Sequence, residues 1–243
     1  MKLIKLNAIN STNTFLKELS KNATLENFTV VVTKNQTNGR GQQESVWFSE
    51  PNKNLTFSVF LNDLKLKISD KKYLNFAISL AVFEVLKSKE IPNLAIKWPN
   101  DIMSGNKKIC GILIENTILK NLILTSIVGI GLNVNQEIFP EKLKNITSLK
   151  NITSVEFNLD DLLVEIITKI KEHINLLTAK DFELLEKNYC AALYKKDTIS
   201  MFKNHEQNKF MGIIRGISHS GNILIEIDDE IIKEFGLKEI SFA

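Results

Sequence analysis

The stretch Ile96 to Glu115, IKWPNDIMSGNKKICGILIE, constrains the fold more than any other. Ile96 and Trp98 are strand formers, and Pro99 ends regular pairing because its nitrogen has no proton to donate. Ser104-Gly105-Asn106 has the composition of a tight turn. Behind it, Lys107, Lys108 and the apolar run Ile109 to Ile114 predict the returning strand of one hairpin. Such a hairpin presents Lys97, Asn100, Asp101 and Lys108 close together. Two cations, an amide and an acid suit an anionic ligand, and a nucleotide with a divalent metal has that chemistry. The same residues would also make an ordinary solvated hairpin tip.

Length sets the scale around this hairpin. The chain has 243 residues, enough for one large domain or one large and one small. Apolar residues make up 44%, sufficient for a real core, and the net charge of +3 gives no push towards nucleic acid. The two cysteines, Cys110 and Cys190, sit in apolar surroundings, a reduced, intracellular pattern. No signal-peptide core and no membrane-length apolar run is present, so a cytoplasmic protein without a membrane partner is expected. Of 31 basic residues only Arg40 and Arg215 are arginine. A chain that uses lysine elsewhere has reason to keep arginine where a planar, bidentate fork is needed, although chance placement gives the same count.

Read in order, Leu3 to Ile9 predicts a strand. Ser11 is an N-cap for a helix with the stripe Phe15, Leu16, Leu19, and its neighbouring hydroxyl and free N–H groups would also suit a polar ligand. Thr29 to Thr33 predicts a buried strand. It feeds a long polar loop in which Gly39 and Gly41 flank Arg40, allowing close backbone approach while the guanidinium reaches phosphate. Trp47 in that loop would cover a nucleobase or simply anchor the loop. Leu55 to Leu61 predicts a strand and Tyr73 to Leu86 a mostly buried helix. Leu122 to Val128 predicts a strand leading into GIGLNVN, where paired glycines let a ligand lie against backbone or mark a bulge. Asn158 caps one helix, Asp181 to Leu193 forms another, and His173 is expected at the surface. Short strands at Ile199 to Lys203, Phe210 to Ile217 and Ile223 to Ile227 predict a small β-barrel docked on the main domain.

KWPND, followed by Lys108 and by Gly111, Ile112, Leu113 and Glu115, resembles the central signature of biotin–protein ligases. NSTNT resembles the segment in which that family's Ser and Thr bond the ureido ring of biotin, which implies the role for Ser11 and Thr12, with Asn13 beside them. Gln36, Gly39, Arg40, Gly41 and Trp47 match the family's glycine-arginine loop, which closes over the adenylate. Gln42 departs from it, standing where a second arginine is usual, and Gln43-Glu44-Ser45 replaces more basic or glycine-rich residues. Gly129, Gly131 and Asn133 match the strand beneath biotin and adenylate. The FMGIIRGISHSGNILIE stretch resembles the family's SH3-like C-terminal domain.

The resemblance implies an α+β fold: a mixed β-sheet with packed helices, like class II aminoacyl-tRNA synthetases, plus a small SH3-like β-barrel. The expected boundaries are 1–195 for catalysis and 196–243 for the C-terminal domain. It implies an ATP-dependent biotin–[acetyl-CoA-carboxylase] ligase that forms biotinyl-5′-AMP, with Mg²⁺, and passes biotin to a lysine of a biotin carboxyl carrier domain. Catalysis is expected from Lys108, Arg40 and Asp101. Biotin is expected on Ser11, Thr12, Asn13, Gln36, Gly39, Arg40, Gly41, Lys108, Gly111, Gly129 and Gly131. The adenylate is expected on Arg40, Gln42, Trp47, Lys97, Asn100, Lys108, Asn133 and Arg215. Arg215 has a second reading, a structural pair with Glu226 or Asp228. Ser11 follows a single strand, so no DNA-binding helix-turn-helix is expected before it. A monomer and a homodimer both fit, since strand edges can pair. A lipoate or octanoyl ligase or transferase shares the fold, but the glycine-rich run of those enzymes has no counterpart in a chain without adjacent glycines. A non-catalytic sensor of biotin would not need both Lys108 and Arg40.

Overall fold

Strands β1 (Leu3–Leu6), β2 (Thr29–Thr33), β3 (Leu55–Lys67), β4 (Leu94–Lys97), β5 (Asp101–Ser104), β6 (Lys107–Leu119) and β7 (Leu122–Leu132) form one sheet in the order 1-2-3-7-6-5-4. The computed structural model describes residues 2–42, 45–141, 143–228 and 230–243. β1 and β2 run parallel, and the other pairs are antiparallel. β2 is β-branched throughout because both of its faces are covered. Val30, with Val59 and Val128 level with it, faces the main core. Val31, Phe60 and Ile127 face a smaller second core.

Helices fill the two sides unequally. α1 (Thr12–Asn22) lays Leu16 onto Val31, Phe60 and Ile127. α2 (Lys71–Ser88) is buried on nearly every face, as its composition requires, and lies in the main core with α4 (Leu159–Thr178) and α5 (Phe182–Ala191). Asn158 caps α4 by accepting from Asp160 N and Asp161 N at 2.9 and 3.2 Å. A short α3 (Leu149–Thr153) sits between β7 and α4. No helix among the described residues is long and apolar enough to cross a membrane.

A second sheet closes the chain: β8 (Ile199–Asn204), β9 (Lys209–Ile217), β10 (Ile223–Ile227), β11 (Ile231–Phe235) and β12 (Ile240–Phe242), antiparallel in the order 11-10-9-8-12. Phe202, Ile214, Ile217, Ile223 and Ile225 merge its inner face with the main core. Two side chains tie it to the first sheet's helices and loops. Lys72 Nζ donates to Ser218 O at 3.0 Å and pairs with Glu186, and Trp98 Nε1 donates to Gly221 O at 3.0 Å.

Three expectations are corrected. The Ile96–Glu115 stretch is two hairpins, because Asp101–Ser104 is a strand in its own right, pairing with β4 through Trp98-Pro99-Asn100 and with β6 through Ser104-Gly105-Asn106. The Trp98–Pro99 bond is cis. His173 is buried, 4% exposed, with Nε2 3.1 Å from Glu84. β11 and β12 extend the C-terminal sheet beyond the three strands expected there.

Candidate active site

The face of the large sheet that α1 covers is only partly covered. Past the N-terminus of α1, glycines enter the cross-strand rows. One row runs Phe60–Ile127–Glu115, the next Ser58–Gly129–Leu113, and the next Thr56–Gly131–Gly111–Asp101–Lys97. The missing side chains at Gly129 and Gly111 leave room for a cavity of about 310 Å³ above them, while Trp47 covers Gly131. Close approach needs these glycines. A Cβ on Gly129 would collide with the Asn13 side chain, and one on Gly131 with the Trp47 indole.

At one end of the cavity lies the start of α1. Ser11, Thr12 and Asn13 are each at most 4% exposed. Ser11 caps the helix. Gln36 Oε1 accepts from Thr12 N at 2.8 Å and from Thr12 Oγ1 at 3.1 Å. Ser58 Oγ lies 2.7 Å from Thr12 Oγ1 and 2.6 Å from Asn13 Oδ1. This is a small, largely buried hydrogen-bonding cluster of neutral side chains suited to a neutral polar ring.

At the other end stand charges. Lys108 Nζ is 2.7 Å from Asp101 Oδ1, both partly exposed. A bulge between Ile102 and Met103 sets this geometry. It places Lys108 opposite Met103 and turns the side chain towards the cleft, where a regular alternation would turn it with Cys110 and Ile112 into the core. The 145–147 segment holds the Lys108 backbone, which accepts from Thr147 N at 3.0 Å and donates to Asn145 O at 2.8 Å. Asn100 is buried; its side-chain amide donates to Ile112 O while its own carbonyl accepts from Ile112 N at 3.0 Å. Asn133 Nδ2 donates to Thr147 O at 3.1 Å, and its buried Oδ1 has no partner among the described residues. Burial lowers the pKa of Lys97; Asp101 opposes that shift, while Lys108 and Lys195 reinforce it by repulsion.

The glycine-arginine loop folds back on itself across the cleft. Gly41 N donates to Ser45 O at 2.7 Å and Trp47 N to Gly39 O at 2.9 Å. Trp47 lies over Gly131 and Gly111, with Lys108 Nζ 5.6 Å from its ring centroid and its own Nε1 buried without a partner among the described residues. Gln43 and Glu44, where the sequence departs from the family pattern, lie outside the described residues.

The structure brings together Ser11, Thr12, Asn13, Gln36, Arg40, Gly41, Gln42, Trp47, Asn100, Asp101, Lys108, Gly111, Gly129 and Asn133, all lining this cavity. Gly39 and Gly131 lie against Trp47. Lys97 lines an adjoining cavity with Tyr194, Lys195 and Phe242, which shares Asp101 and Lys108 with the first. Arg215 is not brought into the cleft: Glu226 holds its Nε at 2.7 Å and Asp197 its Nη1 at 2.8 Å on the C-terminal sheet. The structural partner is therefore Glu226 as expected, joined by Asp197 in place of Asp228. Sequence reasoning does not single out Ser58, which bonds Thr12 and Asn13 beside the cavity, and it quotes Glu115 in the family signature without giving it a role. Ser58 is the one serine inside the apolar run LTFSVFL, a signal of a buried polar task. Glu115 shares the alternation of Gly111 and Leu113, so it follows them onto the cleft face.

A mixed sheet with a glycine floor, neutral polar side chains at one end and a lysine–carboxylate pair at the other can hold a ligand that is polar and uncharged at one end and anionic at the other. Residues 6–133 match the biotin/lipoate A/B protein ligase family. The chain is 30% identical to the bifunctional ligase/repressor BirA of Bacillus spizizenii over 238 residues, 95% of this chain and 71% of that protein. A biotin protein ligase from Aquifex aeolicus, solved in complex with biotin and ATP, superposes with a TM-score of 0.82 at 30% identity, covering 100% of this chain and 98% of that one. A biotin protein ligase from Leishmania major shares the fold at 20% identity, with a TM-score of 0.67 over 97% of this chain and 98% of that one. The chain belongs to the biotin/lipoate A/B protein ligase family. Within it, the chain is a biotin–protein ligase.

Proposed function

We propose that the cleft joins biotin to AMP and then hands biotin to a lysine of a biotin carboxyl carrier domain, that of acetyl-CoA carboxylase or a related carboxylase. The observation that carries this reading is the pairing of two unlike ends on one glycine floor. The Thr12–Gln36–Ser58–Asn13 cluster suits the ureido ring, and the Lys108–Asp101 end suits the carboxylate and the phosphates. An apolar lipoyl or octanoyl chain would leave the hydrogen-bonding end without a use.

In the first step a carboxylate oxygen of biotin attacks the α-phosphorus of ATP. The new P–O bond gives biotinyl-5′-AMP, and the bond to the β-phosphate oxygen breaks to release pyrophosphate. Two anions must approach each other, so a cation fixed beside them lowers the barrier. Lys108 would fill that place, with Lys97 behind it and Arg40 reaching in from the loop when the phosphates arrive. Trp47, Gln42, Asn100 and Asn133 would surround the nucleoside. In the second step the ε-amine of the acceptor lysine attacks the anhydride carbonyl, an amide forms and AMP leaves. Asp101 stands where it can orient the amine and accept its proton.

No cluster of three or more His, Cys, Asp or Glu among the described residues could hold a metal by itself. That fits Mg²⁺ arriving with the phosphates of ATP, since this ion keeps several waters and needs only one or two carboxylates; Asp101 would supply one. When bound, the ion would neutralise phosphate charge. We place the junction between the catalytic part and the C-terminal module at 195/196.

The test is biotin-dependent exchange of labelled pyrophosphate into ATP, followed by streptavidin detection of biotin on an isolated carrier domain. Exchange and labelling that both require biotin and ATP support the reading. Absence of exchange with folded protein refutes it.

A further inference from the structure

Glu115 sits outside the machinery described so far, yet it gathers the groups that machinery depends on. Its Oε2 accepts from Asn13 Nδ2 at 2.8 Å and from Arg40 Nη2 at 3.1 Å. Arg40 Nη2 also lies 3.4 Å from Oε1, and Lys17 Nζ stands 3.9 Å from that same oxygen. The place of this carboxylate on the sheet matters. Gly111 lies beside Lys108, where an added Cβ would be 3.0 Å from Nζ. Glu115 is four residues further along β6, about 13 Å at strand rise. Arg40 and Lys108, the two cations the first step calls for, are therefore drawn to opposite ends of the cleft.

We propose that Glu115 is a positioning residue that holds Arg40 at the Asn13 end, and that the phosphates of ATP compete with Glu115 for the guanidinium. This rests on the reading that ATP enters at Lys108. The hold has the character of a reversible one. A single guanidinium nitrogen makes the bond, the Arg40 side chain is 42% exposed, and a pair so open to water is weak. A phosphate offers the two-pronged geometry that the carboxylate does not use here. Lys17 and the Asn13 amide remain with Glu115 when Arg40 leaves, so the carboxylate is not stranded. Because Asn13 shares Ser58 with Thr12, the parked loop also steadies the hydrogen-bonding end that receives the first substrate.

The two arginines make the test direct. An arginine-specific protease has two target bonds, after Arg40 in the loop and after Arg215 inside the paired strand β9. Glu115→Gln keeps the size of the side chain and an acceptor for Asn13 but removes the charge. Without substrates, the ratio of cleavage after Arg40 to cleavage after Arg215 should rise about three- to tenfold over wild type, a ratio that general unfolding does not raise. With saturating biotin and ATP the ratios should converge. In pyrophosphate exchange the KM for ATP should fall about two- to fivefold, the range for loss of an exposed competing pair, and the KM for biotin should not fall with it. An unchanged cleavage ratio in the empty proteins overturns the proposal. A raised KM for ATP overturns it as well, since Glu115 would then hold Arg40 in its working position. A wild-type protein without exchange activity would refute the ligase reading, and the cleavage ratio of the empty proteins would still decide the role of Glu115.

Discussion

Replacing Lys108 by alanine should separate the fold from the chemistry. The Lys108–Asp101 pair spans 2.7 Å with side chains 26% and 22% exposed. A pair with that access to water contributes at most about 1 kcal/mol to stability. For a chain of this size that corresponds to a fall in Tm of roughly 2–4 °C. The ammonium is one of several forces behind the bulge, and the burial of Ile109 and the backbone bonds to the 145–147 segment remain without it, so the strand keeps its course. The effect on the first step is larger. A fixed cation beside charge that builds in the transition state is worth about 3–4 kcal/mol, or two to three orders of magnitude in rate. Lys108→Ala should therefore slow biotin-dependent pyrophosphate exchange about 100- to 1,000-fold. Supplying synthetic biotinyl-5′-AMP bypasses that step, and transfer to the carrier domain should then fall less than about tenfold. Exchange within about fivefold of wild type, from protein with a normal unfolding transition, would refute the assignment of the phosphate end to Lys108.

Gly131→Ala places a methyl group inside the Trp47 indole; Trp47 should be displaced, seen as red-shifted emission and greater iodide quenching, and an unchanged spectrum counts against the packing described. Lys72→Met removes a side chain 5% exposed that links Glu186 to Ser218 O. Charge-assisted bonds of this kind contribute about 2–3 kcal/mol, so Tm should drop roughly 5–10 °C, and a shift below about 2 °C would show the tie to be dispensable. The pKa of Lys97 is lowered below 10.5 chiefly by burial, and an arriving polyanion favours its charged form. ATP binding should thus take up protons at alkaline pH above the lowered pKa, and affinity should decline as pH rises through that range; calorimetry in two alkaline buffers of different protonation heat checks this, and equal heats would contradict it. Arg215→Glu should lower Tm by opposing Glu226 and Asp197 while leaving the KM for ATP in place; a selective rise in that KM would restore Arg215 to the nucleotide site.

Much of the fold can be read from local composition because its central strands are chemically uniform. Thr29–Thr33 and Ile223–Ile227 begin and end where their apolar runs meet turn residues. The strand called at Leu122 to Val128 runs on through Gly129 and Gly131 to Leu132, since neighbouring strands pair with it regardless of its small side chains. Asp101–Ser104 is harder to see. It is four residues long, half polar, and enclosed between two turns, so its strand character comes from β4 and β6 on either side. β11 escapes for a related reason: Ile231 and Ile232 are both more than half exposed at a sheet edge and show no alternation to detect. His173 misleads in the opposite direction. Charged neighbours suggest a surface position, but its helical stripe with Ile166, Ile170, Ile174 and Leu177 turns it inward towards Glu84.

The site divides along the same line between local and long-range information. Ser11, Gln36, Arg40 and Lys108 are visible as motif residues, whereas their partners lie far off in sequence: Ser58 is 46 residues from Thr12, and Glu115 is 75 from Arg40. Those pairings exist only once the strand register is set, and register depends on the whole sheet. Lys108 shows how fine the dependence is. Strict alternation from Gly111 would put Ile109 on the cleft face and Lys108 with Cys110's neighbours on the core face. The one-residue bulge opposite Ile102 and Met103 reverses that, burying Ile109 completely and turning the ammonium towards Asp101. A charged residue cannot sit unpaired in the main core, so the cost of burying Lys108 itself favours the bulged register over the regular one. The residue that the chemistry needs is thus also one of the forces that shapes the strand presenting it.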